Sequence, residues 1–265
     1  MSANFQQRVM DDKRRAMSLL SGAEREHTRE AALASRKNCS ARFRRELLAR
    51  PTAIIAEFKR HSPSAGDIQG GADPAGIARL YEAGGAAAMS VLTEPDHFKG
   101  SLDDLRTVAA AVNLPLLRKD FTVDRHQVHE AAVAGAEAVL VIVAGLTDAD
   151  ALKLLDAAHT VHLDALVEVH SEEDMKRAAA LGAELIGVNN RNLKTLKVDL
   201  ETSLQLAEFA PANATLVAES GLRTRADIER LQSAGYKAFL IGETLMRSGD
   251  PLTTLRELQG MEQVR

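Results

Sequence analysis

The chain has 265 residues, of which 45% are hydrophobic but only 3% aromatic, with no Trp and a formal net charge of -4. This composition provides for a sizeable core built on Ala, Leu, Val and Ile, and it gives no global attraction to nucleic acid. The one cysteine, Cys39, excludes an internal disulfide framework and a Cys-based zinc cluster, and it reads as a passive small residue in a reducing compartment.

The N-terminal stretch MSANFQQRVMDDKRR lacks the apolar segment of a secretory signal. No apolar run approaches the about 20 residues that a membrane-spanning helix needs. A cytoplasmic protein without membrane or nucleic-acid partners is expected. Residues 1–50 are rich in Arg, Lys, Glu and Ala and predict a helical extension. The basic clusters Lys13-Arg14-Arg15 and Arg42, Arg44, Arg45 are interleaved with Asp11, Asp12, Glu24, Glu26, Glu30 and Glu46, which suits solvated helix faces better than a polyanion site.

From Pro51 the pattern changes to eight short apolar runs separated by helical segments: TAIIAEF, AAAMSVLT, LPLLR, EAVLVIVA, LDALVEVH, ELIGVNN, TLVAES and KAFLIGE. The runs are continuous rather than alternating, as in parallel strands covered on both faces. Asp73-Pro74 and Asp250-Pro251 place a capping carboxylate before a proline at the first helical position. Ser101-x-x-Asp104, Thr147-x-x-Asp150, Ser171-x-x-Asp174 and Thr224-x-x-Asp227 resemble capping boxes with Asp in place of Glu.

Gly84, Gly135, Gly182 and Gly235 each end a helix and open a strand, at separations of 51, 47 and 53 residues. One βα unit takes about half that length, so the repeat is a βαβα pair, and four pairs make eight units. With no antiparallel hairpin between them, the units predict a closed (β/α)8 TIM barrel over 51–265, preceded by the helical extension in one domain. A doubly wound open sheet is the alternative, weakened by the absence of G-x-G-x-x-G after the first strand and of a phosphate-loop motif.

In such a barrel the active site lies at the C-terminal ends of the strands. Charged residues gather there. Strand 1 ends with Glu57 and Lys59, strand 3 with Arg118, Lys119 and Asp120, and strand 5 carries Glu168. Strand 6 runs into Asn189-Asn190-Arg191, strand 7 ends in Glu219-Ser220-Gly221, and strand 8 in Gly242-Glu243. Buried ions are costly unless paired, so two lysines and three carboxylates at one mouth should pair and perturb one another. By the period of two, Glu57 and Lys59 share a face, while Arg118 and Asp120 point away from Lys119 and are structural. A purely structural ion ring is the weaker reading of the five together. Ser220, Gly221 and Gly242, with Ser62 in the first loop, form a candidate phosphate cradle. His126 and His129, three apart, suit a surface pair better than a metal site. His61 and His170 lie near the mouth without a nucleophile to activate.

The segments AEFKRHSPSAG, LLRKDF, ALVEVH, IGVNNRNL, VAESGL and FLIGETLM occur in this order and resemble the motif set of indole-3-glycerol phosphate synthase, from about Ile54 to Met246. The N-terminal segment is similar to that family's extra helices. The resemblance implies closure of the indole ring of 1-(2-carboxyphenylamino)-1-deoxyribulose 5-phosphate with loss of carbon dioxide and water, in tryptophan biosynthesis, with no metal or organic cofactor. It implies Lys119 as general acid at the substrate ketone. Lys59 would hold the anthranilate carboxylate and act in dehydration, Glu57 would pair with it and serve as base, and Glu168 would act at the forming ring. Asn189 and Glu219 would hold hydroxyls or orient a lysine. Ser62, Ser220, Gly221 and Gly242 would bind phosphate, and Pro63, Phe121, Arg191 and Leu193 would line the aromatic end. For Lys119 to give up a proton readily, neighbouring cations and desolvation should lower its pKa.

Two departures stand out. Ala65 replaces a frequent lysine, and Glu243 follows Gly242 where an anion would bind, so its side chain should point away and only its backbone N–H could help. A non-catalytic sugar-phosphate-binding barrel and a ribulose-phosphate isomerase-type barrel are the competing readings. The first is disfavoured by the two lysines and three glutamates, the second by the lack of an Asp or Cys acid–base pair. A small-molecule substrate and a monomer or weak dimer are expected.

Overall fold

The computed structural model of the protein describes residues 3–35, 42–192, 195 and 197–261. Cys39 and Leu193 lie outside the described residues. Eight parallel strands close into a barrel: β1 (Ala53–Phe58), β2 (Ala88–Leu92), β3 (Leu116–Lys119), β4 (Ala138–Ile142), β5 (Asp164–Val169), β6 (Leu185–Asn189), β7 (Thr215–Glu219) and β8 (Ala238–Ile241). All eight predicted runs form these strands, trimmed by one or a few residues where the chain turns, except that β3 runs one residue further, to Lys119. The circuit closes through β1, which pairs with β2 on one side and with β8 on the other.

Alternation within each strand divides the core in two. Inside the barrel lie Ala53, Ile55, Ala88, Leu117, Ala138, Leu140, Leu166, Leu185, Val217, Ala238 and Leu240. The outward row, including Ile54, Ala56, Met89, Val91, Val139, Val167, Ile186 and Phe239, packs under the helices. Burying each large aliphatic side chain stabilises the fold by about 1.5–3 kcal/mol before entropy is counted. The low aromatic content fits this division, because an eight-stranded barrel interior has room for aliphatic chains and little more.

Three helices precede the barrel: α1 (Ala3–Ser18), α2 (Gly22–Ser35) and α3 (Phe43–Leu48). Helix α3 sends Phe43 and Leu47, both fully buried, into the interior cluster with Ala53 and Ala238 at the starts of β1 and β8. It therefore plugs the N-terminal end of the barrel. Helix α1 lies at the other end. Its Lys13 ammonium pairs with the buried Asp120 carboxylate at 2.8 Å, and its Arg14 donates to the Gly145 carbonyl at 2.9 Å. Met10 fills the space that a side chain at Gly145 would take.

The predicted caps form. Asp73 and Asp250 accept backbone N–H groups ahead of their prolines, and Ser101, Thr147, Ser171 and Thr224 each accept from the Asp three residues on. Among these four, the reciprocal bond of a full box is present at Thr224–Asp227, and a further box, Asp124–Gln127, was hidden from the Ser/Thr pattern. The helix-ending repeat needs one correction. Gly84 is right-handed at φ -74, and the left-handed position is Gly85 at φ 84, matching Gly135, Gly182 and Gly235. A second correction concerns the first loop, where His61–Ser62 and Gly66–Asp67 form a short antiparallel hairpin.

Candidate active site

The inward row of each strand continues past its apolar residues into the mouth. Ile55 is followed at the same parity by Glu57, Leu117 by Lys119, Leu166 by Glu168, Leu185 by Gly187 and Asn189, and Val217 by Glu219. Register brings the ends level, with Asn189 opposite Glu219 and Glu168 opposite Gly187. Glu57, Lys119, Glu168, Asn189 and Glu219 line one cavity of about 790 Å³ at the C-terminal end of the barrel.

Two ionic groups occupy its floor. The Lys59 ammonium donates to Glu57 Oε1 at 2.6 Å. The Lys119 ammonium donates to Glu168 Oε2 at 2.7 Å and Glu219 Oε2 at 2.9 Å. Asn189 Nδ2 donates to the other Glu168 oxygen at 3.3 Å, and Asn189 Oδ1 accepts from the Arg191 backbone N–H. The three carboxylates are almost wholly buried, while Lys59 and Lys119 keep a small opening to the cavity.

The electrostatics overturn one expectation. Burial alone would lower the pKa of Lys119, but Glu168, Glu219 and Glu57 outweigh it and hold the lysine protonated, well above its ordinary range. Its neighbours are anions rather than cations, so the group is a fixed ammonium. The two carboxylates that share it divide unequally. Burial and the nearby Glu168 push Glu219 up to about 7, while Lys119 and His170 overcome burial and keep Glu168 ionised, below the usual carboxylate range. His170 Nε2 stands 3.2 Å from Glu168 Oε1, off the line of a hydrogen bond. Burial lowers the His170 pKa, but Glu168, Asp174 and Glu219 raise it by more.

Two glycines make room for these carboxylates. A Cβ at Gly187 would overlap Glu219 Oε1, and one at Gly242 would overlap Glu57 Oε1. Gly242 therefore serves the Glu57 side chain, a role that its place in the phosphate motif did not suggest. Gly187 gave no sequence signal.

The expected anion half is also assembled. Ser62, Ser220, Gly221, Gly242 and Glu243 line the cavity with Pro63, Phe121 and Arg191. Ser220 and Gly221 both have left-handed backbone, at φ 67 and φ 86, and a Cβ at Gly221 would overlap Val198. Glu243 is exposed and pairs with Arg247 at 3.2 Å, and both residues line the cavity, so the negative charge there is compensated. Arg247 also donates to the Ala65 carbonyl, tying the first loop to the last.

Arg118 turns away from the cavity as expected, whereas Asp120, held by Arg118 and Lys13, also lines the cavity. Arg118 binds Asp120, Thr93, Glu130 and the Gln127 carbonyl under the helices. His126 and His129 are buried rather than exposed, because α2 packs over their helix (Arg125–Val133). His126 faces Glu130 at 3.5 Å. Among the described residues no group of three or more His, Cys, Asp or Glu could hold a metal ion. Nor is any helix long and apolar enough to cross a membrane.

Sequence reasoning left open whether the extension covers the mouth. Helix α1 does so with Phe5, Gln6 and Arg8, which line the cavity. The Phe5 ring meets His97 edge-on at 4.8 Å and Phe121 at 6.4 Å. No helical periodicity in 1–50 distinguishes this placement from an outer-wall position.

Comparison with known proteins agrees with this geometry. Residues 6–258 match the family model described as indole-3-glycerol phosphate synthase. The chain is 49% identical over 257 residues to the indole-3-glycerol phosphate synthase of Koribacter versatilis (strain Ellin345), covering 96% of this chain and 98% of that one. It is 53% identical over 211 residues to that of Nocardioides sp. (strain ATCC BAA-499 / JS614), covering 80% and 81%. Among solved structures it is similar to a 3-hexulose-6-phosphate synthase, with a TM-score of 0.61 at 17% identity over 79% of this chain and 98% of that one. A thiamine phosphate pyrophosphorylase from Pyrococcus furiosus gives a TM-score of 0.59 at 16% identity, over 79% and 94%. These two likenesses concern the barrel fold. By its motifs, its fold and these relatives, the chain belongs to the indole-3-glycerol phosphate synthase family.

Proposed function

We propose that Lys119 is the general acid of indole ring closure and that Lys59 and Glu57 are the acid and base of the dehydration that follows. The observation that carries this assignment is the position of Lys119, a buried ammonium held between Glu168 and Glu219 and facing the cavity that it shares with the Lys59–Glu57 pair.

The ring carbon of the anthranilate group attacks the ketone carbon of the ribulose chain. Negative charge grows on the ketone oxygen, and a preorganised ammonium in a water-poor site stabilises it and delivers a proton. The high pKa of Lys119 suits charge stabilisation throughout the step, with the proton passing as the oxygen becomes alkoxide-like. Loss of carbon dioxide then leaves its bonding pair in the ring, and Lys59 positions the carboxylate for that loss. In the dehydration, the hydroxyl departs as water with a proton from Lys59, and Glu57 accepts the proton released as the second double bond forms. Glu168, fixed by Asn189, polarises the forming ring. Glu219 orients Lys119 through their hydrogen bond and is itself the group that titrates near neutral pH. Ser62, Ser220, Gly221 and the backbone at Gly242 and Glu243 receive the phosphate. Pro63, Phe121 and Arg191 line the aromatic end.

The extension and barrel work as one domain, a reading supported by the buried Lys13–Asp120 pair and the α3 plug. The protein acts as a monomer or weak dimer in the cytoplasm on a soluble sugar phosphate. Purified protein given the anthranilate ribulose-phosphate should develop indole fluorescence. Lys119→Ala should lower kcat by about 10²–10⁴-fold and largely retain ligand affinity. Undiminished turnover in that variant would show that the acid is another group.

A further inference from the structure

The substrate of the proposed reaction carries two anions, an aryl carboxylate and a phosphate, at opposite ends. The cavity's two lysines are already compensated by carboxylates, and Arg247 is paired with Glu243. Three other cations line the cavity: Arg191, which has an interaction of its own, and Arg8 and Arg223, neither of whose side chains has a hydrogen-bond or ion-pair partner among the described residues. The acids beside Arg8 on its own helix are occupied: Asp11 accepts from Gln7 and Arg14, and Asp12 pairs with Arg15.

The positions of Arg8 and Arg223 divide them between the two anions. Arg223 follows Ser220 and Gly221 in the loop after β7, on the phosphate half. Arg8 lies on α1, one helical turn beyond Phe5, and the anchors of α1 are Asp120 after β3 and Gly145 after β4. In the closed order β3 and β7 are four strands apart, on opposite sides of the mouth. The ring contact between Phe5 and Phe121 puts this part of α1 over the aromatic half. We propose that Arg8 is a specificity-determining residue that binds the outer side of the substrate's aryl carboxylate, the group that leaves as carbon dioxide, while Lys59 holds it from the floor of the cavity.

The inference rests on the proposed reaction and has a consequence of its own. A guanidinium that reads the carboxylate favours substrate over product, because the product has lost that group while keeping its phosphate. Arg8 thus helps the site discriminate between the two and eases product release.

Steady-state kinetics on the full chain test this, with substrate turnover and inhibition by indole-3-glycerol phosphate measured for wild type, Arg8→Ala, Arg8→Lys and Arg223→Ala. Arg8→Ala should raise the substrate KM about tenfold, the loss of one charge-assisted contact, with kcat nearly unchanged. Its product Ki should stay within about twofold of wild type. Arg8→Lys should recover part of the KM. Arg223→Ala should raise KM and product Ki together. An unchanged substrate KM in Arg8→Ala, or a product Ki that rises in parallel with it, overturns the assignment. Absence of wild-type turnover would instead refute the reaction itself. Exposed and without a structural partner, Arg8 can be replaced without loss of the fold, and circular dichroism of the variant checks this.

Discussion

Glu219 lies against Gly187, with its Oε1 in the space that a β-carbon on the neighbouring strand would fill. The two strands pair in register, with Gly187 facing Val217 and Asn189 facing Glu219. The bare backbone on β6 lets the carboxylate reach across to Lys119. A glycine in a strand interior weakens the strand, so a buried one signals that something approaches closely.

Gly187→Ala should therefore act on catalysis through Glu219. The added methyl displaces the carboxylate, which loosens one of the two anchors of Lys119. We expect kcat to fall about 100-fold, the usual cost of misplacing a reacting group by about 1 Å. The double variant Gly187→Ala/Glu219→Ala should lose little more than either single change, since the two act on one contact. Additive losses would separate them.

The raised pKa of Glu219 gives a stability prediction with a definite sign. Its unfolded carboxyl ionises near 4.5 and the folded one at about 7. Below 4.5 both states hold the proton and nothing is lost. Between 4.5 and 7 the unfolded state ionises while the folded state keeps its proton, so stability falls. Relative to Glu219→Gln, wild type should lose on the order of 3 kcal/mol across that window and then level off. Glu168, depressed by Lys119 and His170, has the opposite sign: its contribution is present above 4.5 and disappears as the pH falls. Denaturation midpoints for wild type, Glu219→Gln and Glu168→Gln read both slopes, the Glu219 slope between pH 4.5 and 7 and the Glu168 slope below pH 4.5.

His170 should leave its mark on the rate profile. Lys119 must be oriented by an ionised Glu219, so kcat/KM should rise through an apparent pKa near 7 that Glu219→Gln abolishes. The groups facing His170 are Glu168 from β5, Asp174 from the following helix, and Glu219 from β7. His170→Asn removes a cation that favours ionised carboxylates, and the acid limb should move to higher pH. An unmoved limb would leave the histidine with packing alone.

The barrel and the main side chains of its mouth were legible because both follow from a period of two. Apolar runs fix eight strands, and the parity of Leu117 or Val217 fixes which way Lys119 or Glu219 points. Three features were not legible. The value of Gly187 lies in the absence of a side chain opposite a residue on another strand. The pKa of Lys119 is set by carboxylates from β1, β5 and β7, whose approach no local pattern encodes. The course of α1 depends on long-range contacts such as Lys13 with Asp120, and its residues Phe5, Gln6 and Arg8 look like those of any amphipathic helix.

The Lys13–Asp120 pair gives the last expectation. Asp120 is buried, and burial would raise its pKa, but Arg118 and Lys13 together hold it below the ordinary range. Lys13→Met keeps the length and apolar stem of the side chain and removes its charge. Asp120 would retain Arg118 and the Thr93 hydroxyl, so the fold should survive with a loss of about 1–2 kcal/mol. Helix α1 would lose its strongest tie to the mouth. Substrate KM should rise, because Phe5 and Arg8 no longer stay over the aromatic half, while the high-pKa ammonium of Lys119 is untouched and kcat changes little. Limited proteolysis should cut the linker after α1 faster in the variant, with substrate restoring protection. A variant whose kcat falls while KM and proteolysis stay at wild-type values would instead place the effect of Lys13 on β3 and Lys119.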